Sequence, residues 1–399
     1  MLFQYLYTKN TPFNRVSFSL EFFGDFNIEL FDKALSIVSN QDPMLRTVLT
    51  KSGKMKIDQS VYQSRIIPLE IIGYEKAKQL FEFERVEIDL FKNPILIKIG
   101  QFEKHTILLI FWHHIFVDGW SNYVFLQKLF SVYQVLNQLG RCENFPLSFY
   151  KNFILYIQDH HILKKNKYYW KQYLSGFQAH NIDNKVVPNI SHFLSKEIQL
   201  KEKCYQSQEV SLSAVLYAAW VITLVQWKKT THVAFGTTFS GRNLPIQHIE
   251  TTIGLFVNTL PMYYDVDITS TIRSLKKQVM LDIINHSCHE HISAVDLTLC
   301  INSVGKKEGN SIFDNLIIIE NYPTNLHLPS GIILENYHIK EMAAFDIILG
   351  IIPTYNKAVI QYNSNLYNER TINSLLESYI KIVDFLFFHD DNIIRDILQ

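Results

Sequence analysis

With 399 residues, 47% of them hydrophobic and 14% aromatic, the chain has apolar material for one large core or two ordinary ones, which excludes a disordered protein. Its 38 basic side chains balance 38 acidic ones, and without a dense basic stripe carrying aromatics nucleic acid is not an expected partner. The chain has no leader-like N-terminus and no charge-free stretch of membrane-spanning length, and Cys142, Cys204, Cys288 and Cys300 lack zinc-ribbon pairing and disulfide-scaffold density, so a soluble cytoplasmic protein with no membrane partner is expected.

Val16, Phe18, Leu20 and Phe22 alternate with Ser17, Ser19 and Glu21, the period of a half-buried strand that Gly24-Asp25 closes. Asn27 then caps a helix with Phe31, Leu35 and Val38 on its apolar face, ending before Pro43. After Leu45-Arg46-Thr47 an extended stretch turns at Ser52-Gly53, and a β-rich region leads to Ile107-Leu108-Leu109-Ile110-Phe111, short enough for a buried central strand. Phe125, Leu129, Val132 and Leu136 recur at four, three and four residues, one face of a helix.

From about Lys164 to Pro188 a basic, aromatic helix with Tyr169-Trp170 gives way to polar segments around His180-Asn181-Ile182-Asp183-Asn184, so a lobe boundary is drawn between residues 165 and 166. Leu212 to Trp227 is apolar on every side, a buried helix, and a strand at Val233-Ala234-Phe235 follows. Further extended runs are expected at Leu255 to Leu260, Ile312 to Ile319 and Phe345 to Ile352. The last helix turns Ile372, Leu375, Leu376, Tyr379, Val383 and Leu386 inward. Both lobes, 1–165 and 166–399, therefore read as α/β with mixed sheets, and no Gly-rich phosphate loop or short repeat appears.

Directly behind the buried strand stands His113-His114-Ile115-Phe116-Val117-Asp118-Gly119. A base at a strand exit, an acid a turn later and a glycine that tightens the turn point to an acyl-transfer loop. Histidine at a strand end accepts a proton at cytoplasmic pH, and strand alternation sends the two rings to opposite sides. His114 is assigned to the cavity, as base or hydrogen-bond partner for an attacking amine or hydroxyl, and His113 to a buried structural bond. Asp118 orients the loop and, if partly buried, needs a cation, for which Arg46 is the candidate. Gly119 permits a backbone geometry, or a close approach of substrate, that a side chain would block.

A bare His-x-x-x-Asp spacing also fits core filler beside an ordinary turn; the full seven-residue run is far more specific. A second pair, His160-His161, has no Asp-Gly after it and reads as solvated surface. His286-Ser287-Cys288-His289-Glu290-His291 gathers metal-ligating types, but without a second cluster at a fitting spacing a polar loop or helix end is the reading and no metal is expected.

Other segments widen the loop into a family pattern. Leu45-Arg46-Thr47, Tyr169-Trp170, the His113 to Gly119 run continued by Trp120-Ser121, Phe235-Gly236-Thr237 leading to Ser240-Gly241-Arg242, Ile253 to Pro261, Phe345-Asp346 and Tyr362-Asn363 keep their order along the chain. In these the chain resembles the condensation domains of nonribosomal peptide synthetases. The resemblance implies two chloramphenicol-acetyltransferase-like lobes in a V-shaped pseudo-dimer, the histidine loop in a tunnel between them and the 253–261 segment of the second lobe reaching toward the first. It implies that acyl or peptidyl carrier proteins of other synthetase modules bring the donor thioester on a phosphopantetheine arm, that the acceptor is carrier-bound or a free amine, and that the chain binds no cofactor of its own.

By the same resemblance His114 is the catalytic histidine beside His113, Asp118 is held by Arg46, Gly119 has its amide near the thioester, and Trp120, Ser121, Thr237 and Asn258 line the tunnel. Asn258 either presents its amide to substrate or is bonded to backbone. Trp120 argues against the epimerization branch, and His-His stands where the heterocyclizing branch carries an Asp-rich motif. The chain departs from the family at Gln41-Asp42-Pro43, where an Arg-His-Glu run is usual, and after His289, where Pro-Phe gives way to Ser293-Ala294. The chain is expected to be either a free-standing enzyme or an excised domain, and Met1 with the lack of an interdomain linker favours the free-standing one, with partners in trans. A coenzyme A-dependent O- or N-acyltransferase and an inactive docking domain are the alternatives.

Overall fold

A computed structural model describes residues 15–50, 55–57, 67–83, 86–142, 148–177, 193–199, 209–302, 312–320, 326–341 and 345–398. The strands are β1 (Arg15–Gly24), β2 (Thr47–Leu49), β3 (Met55–Ile57), β4 (Leu69–Gly73), β5 (Ile95–Phe102), β6 (His105–His113), β7 (Phe193–Gln199), β8 (His232–Phe239), β9 (Asn258–Asp265), β10 (Asn315–Ile319), β11 (Ile332–Glu341), β12 (Ile347–Ile352) and β13 (Lys357–Asn363). They divide between two compact units.

The first unit takes the residues up to Ile154, Leu244–Phe256 and β11. Its sheet runs β11-β1-β6-β5-β4, with β4 parallel to β5 and the other pairs antiparallel. β6, paired on both edges, is buried at every residue from Thr106 to His113, which explains its unbroken apolar run. Helix α1 (Ile28–Gln41) starts where Asn27 Oδ1 accepts the Leu30 N–H at 3.0 Å and buries Phe31, Leu35 and Val38. Gly24 has φ +137° and lies against β11, where an added Cβ would sit 2.1 Å from the Gly331 oxygen, so only glycine closes β1 there.

The second unit holds a six-stranded sheet, β7-β13-β12-β10-β8-β9, parallel at β8/β10 and β10/β12. The helix Leu212–Lys228 is buried continuously from Ala214 to Val225, and the helix Glu369–Leu386 buries all six residues expected to face inward.

Two readings change. Tyr74–Phe83 is a helix inside the stretch read as β-rich. The extended run from Leu255 begins as strand only at Asn258. The compact units are not contiguous in sequence: the chain from Leu155 joins the second, while Leu244–Phe256 and β11 rejoin the first. Such returns are long-range pairings and leave no local mark in composition. The Ser52-Gly53 turn and the polar segment around His180 fall outside the described residues.

Candidate active site

The seven-residue run is a strand exit followed by a helix entry. β6 ends at His113, and the Phe116 N–H donates to the His113 carbonyl at 3.1 Å, which folds the chain into a turn. Asp118 then caps the helix Gly119–Leu139. A carboxylate at that position both accepts an amide that the helix leaves unbonded and meets the positive end of the helix dipole.

Asp118 is buried, and three donors reach its carboxylate. Oδ1 accepts the Ser121 N–H at 2.8 Å and faces the Ser121 hydroxyl at 2.7 Å; Oδ2 accepts the Phe256 N–H at 2.9 Å. The Ser121 hydroxyl also lies 2.8 Å from the Gly254 carbonyl and accepts the Gly254 N–H at 3.0 Å. Its single proton serves one acceptor at a time, and the charged carboxylate is the stronger. The loop is thereby tied to residues more than 130 positions later in the chain.

The two histidines separate. His113 is 1% exposed, and its Nδ1 accepts the Ile115 N–H at 3.1 Å, so the neutral ring carries its proton on Nε2. Burial first, then the neighbouring His114 and Arg15 charges, pushes its pKa down to about 3. A ring so hard to protonate is a poor proton acceptor at neutral pH. His114, in the turn, is only half-buried. Gly119 occupies the first helical position, a right-handed backbone open to any residue, so turn geometry does not require glycine there.

Arg46 is 7% exposed at the end of the 3-10 turn Pro43–Arg46, which Asp42 caps through the Met44 N–H at 3.2 Å. Asp42, at the position where sequence marked a departure, is itself buried and meets Lys128 of the Gly119–Leu139 helix at 3.2 Å. Burial raises its carboxyl and Lys128 works against that. The Asp42–Lys128 pair thus fastens the Arg46 turn to the helix that Asp118 starts. Sequence reading noticed Asp42 without finding this role, because Lys128 is 86 residues away.

Tyr150 was also missed. Its hydroxyl donates to the Leu255 carbonyl at 2.9 Å, and its ring packs edge-on against Phe256. A Cβ on Gly254 would lie 2.2 Å from the Tyr150 ring. We therefore expect Gly254→Ala to lower stability by about 1–3 kcal/mol through overpacking, read as a fall in the denaturant midpoint. An unchanged midpoint would show that the ring can yield. Trp120 donates from Nε1 to the Glu250 carbonyl at 2.8 Å. His113, His114, Asp118, Gly119, Trp120 and Ser121 are thus gathered in the first unit with Glu250, Gly254 and Phe256.

Thr237 and Asn258 belong to the second unit. Thr237 is fully buried in β8, its hydroxyl donating to Tyr217 Oη at 2.7 Å. Asn258 donates from Nδ2 to the Glu290 and Ile292 carbonyls at 2.8 and 2.7 Å, and its Oδ1 accepts the Thr259 N–H at 3.0 Å. These bonds occupy the Thr237 and Ser121 hydroxyls and the Asn258 amide within the protein.

The histidine-rich segment spreads its rings apart. His286 Nδ1 accepts from Tyr169 Oη at 2.8 Å and Nε2 lies 3.2 Å from the Pro261 carbonyl, while the His289 ring stacks on Tyr169 at 4.1 Å. Among the described residues no three metal-ligating side chains converge. His160 and His161 are exposed at the start of the helix His160–Tyr173, which Asp159 caps. No helix among the described residues is long and apolar enough to cross a membrane.

This arrangement agrees with three kinds of likeness. The model of the condensation domain matches residues 1–397. Surfactin synthase subunit 3 of Bacillus subtilis (strain 168) is 23% identical over 98% of this chain, and tyrocidine synthase 2 of Brevibacillus parabrevis is 25% identical over 96%. The chain spans 32% and 11% of the length of those relatives. The fold is shared with VibH, an NRPS condensation enzyme (TM-score 0.78, 16% identity, 97% of this chain and 94% of that one), and with the X-domain from teicoplanin biosynthesis (TM-score 0.80, 16% identity, 99% and 95%). A family match over almost every residue, carried by two mixed α/β units, leads to one assignment: the chain belongs to the condensation domain family of nonribosomal peptide synthetases.

Proposed function

We propose that this chain joins a carrier-bound acyl or peptidyl thioester to an amine, or with lower reactivity a hydroxyl, partners acting in trans. The observation that carries the reading is the division of labour in the loop: a rigidly held, hard-to-protonate His113 beside a half-buried His114, on a turn clamped by the Asp118 carboxylate. In the proposed reaction the amine nitrogen attacks the thioester carbonyl carbon. His114 positions the amine or takes its proton, the carbon–sulfur bond breaks, and the phosphopantetheine thiol leaves with a proton. Orientation alone supplies several kcal/mol when reacting atoms are held in line.

Gly119 opens the helix, where the first amides have no acceptor within the helix, and its N–H is assigned to the developing carbonyl oxygen. Asp118 is assigned the loop, with Arg46 as its cation, and Trp120, Ser121, Thr237 and Asn258 the walls around substrate. The occupied Ser121 and Thr237 hydroxyls make those two residues walls by shape rather than by hydrogen bonding. The chain supplies no cofactor; the phosphopantetheine arm comes with the carrier.

Two other readings have specific support. A starter condensation domain of rhizomide synthetase, TM-score 0.80, is in complex with C8-CoA, which favours an acyl-coenzyme A donor. The teicoplanin X-domain is found in complex with OxyB, which favours a docking role. The discriminating experiment offers the purified chain one acyl group on carrier protein or on coenzyme A, with a panel of amines. Amide product from the carrier alone supports condensation in trans. Equal turnover of both donors selects the acyltransferase, and binding of carrier or partner without turnover of either donor selects docking.

A further inference from the structure

Glu290 stands where no charged side chain is comfortable. It is 1% exposed, and one carboxyl oxygen, Oε1, has no hydrogen-bond partner among the described residues. Oε1 lies 3.7 Å from His291 Nε2. Oε2 accepts the Gly241 N–H at 3.1 Å, and the Glu290 backbone carbonyl accepts from Asn258 Nδ2 at 2.8 Å. One residue therefore joins Gly241, whose φ of +70° sets the Ser240-Gly241-Arg242 turn, to Asn258 of the proposed substrate wall. A bare carboxylate in this place would leave a buried charge with a single donor.

We propose that Glu290 is a positioning residue that works as a neutral acid: it holds the Gly241 amide with one oxygen and aims its proton at His291 with the other, keeping the Gly241 turn and Asn258 in register. The titratable group that faces it is His291 on its own segment, whose ring in turn lies 6.4 Å from that of Tyr156. Burial pushes the Glu290 carboxyl up to about 7, opposed by the Gly241 N–H, and burial pushes His291 down to about 4. A raised folded value means that the stability due to the proton is complete below the ordinary 4.5 and is lost as pH rises toward 7.

Glu290→Gln keeps the oxygen for Gly241 and places an N–H toward His291, so it mimics the protonated acid permanently. Denaturant unfolding of wild type and E290Q across pH 5 to 8 should give similar stabilities at the acid end and, at pH 8, an unfolding equilibrium constant about two orders of magnitude smaller for E290Q. The difference between the proteins cancels every other titrating group. Infrared spectra should contain a protonated-carboxyl stretch near neutral pH that E290Q lacks. A stability difference independent of pH, or a carboxyl that titrates in the ordinary range, overturns the proposal.

A second arm rests on the condensation reading: the ratio of kcat/KM in E290Q to that in wild type should rise from pH 7 to 8, and a ratio that stays constant would count against a positioning role. If no loaded carrier yields product at all, the condensation reading fails while the unfolding arm still decides the state of Glu290.

Discussion

Replacement of His114 by alanine lowers the rate of amide formation by about 10²- to 10⁴-fold, the range that a positioned acid–base group contributes, and leaves the fold intact. The second half of the expectation follows from placement. His114 sits half-buried in the turn after β6 and belongs to none of the hydrophobic clusters, so its truncation opens no core cavity. His113→Ala should behave in the opposite way, losing stability first because it removes a ring that is 1% exposed and accepts the Ile115 N–H. Single-turnover rates with acyl-loaded carrier, set beside denaturant midpoints, separate the two. An H114A protein with the wild-type rate would remove His114 from the chemistry, and an H113A protein with unchanged stability would remove His113 from the framework.

Asp118→Ala destabilises the protein by about 3 kcal/mol or more and abolishes turnover together with it. The cap of the Gly119–Leu139 helix is worth about 1 kcal/mol. Removal of the carboxylate also takes the Oδ2 acceptor from the buried Phe256 N–H and the Oδ1 acceptor from the Ser121 hydroxyl. Each orphaned buried group adds about 1–3 kcal/mol. Asp118→Asn should fall between wild type and alanine, since one amide oxygen still caps Ser121 while its NH₂ group confronts the Phe256 N–H donor to donor. A thermal or denaturant midpoint for D118A equal to wild type would show that residues 254–256 are held by other contacts.

The residues that could be read from sequence are those whose signal is local. The β1 alternation, the Asn27 cap and the inward face of Glu369–Leu386 all repeat at the period of their own element. The histidine run was legible because strand exit, turn and helix cap occupy seven consecutive residues. What sequence did not reveal lies in contacts that join distant segments: Gly254 and Phe256 bonded to Ser121 and Asp118, Lys128 paired with Asp42, and β11 added to β1 from more than 300 residues away. The Tyr74–Phe83 helix was hidden differently, since a ten-residue helix beside strand-like segments carries little periodic signal. Glu290 was visible as a letter in a histidine-rich stretch, but its burial depends on Gly241 and Asn258 from two other elements.

The most direct measurement is the mass of the carrier protein and of the small-molecule product after a single turnover, with wild type and H114A each mixed with acyl-loaded carrier and amine. The account predicts that wild type strips the acyl group from the carrier and yields an amide of the summed mass less the departing thiol, while H114A leaves the carrier loaded. An acyl group that stays on the carrier with wild type for every amine tested, or that transfers equally well with H114A, would contradict it.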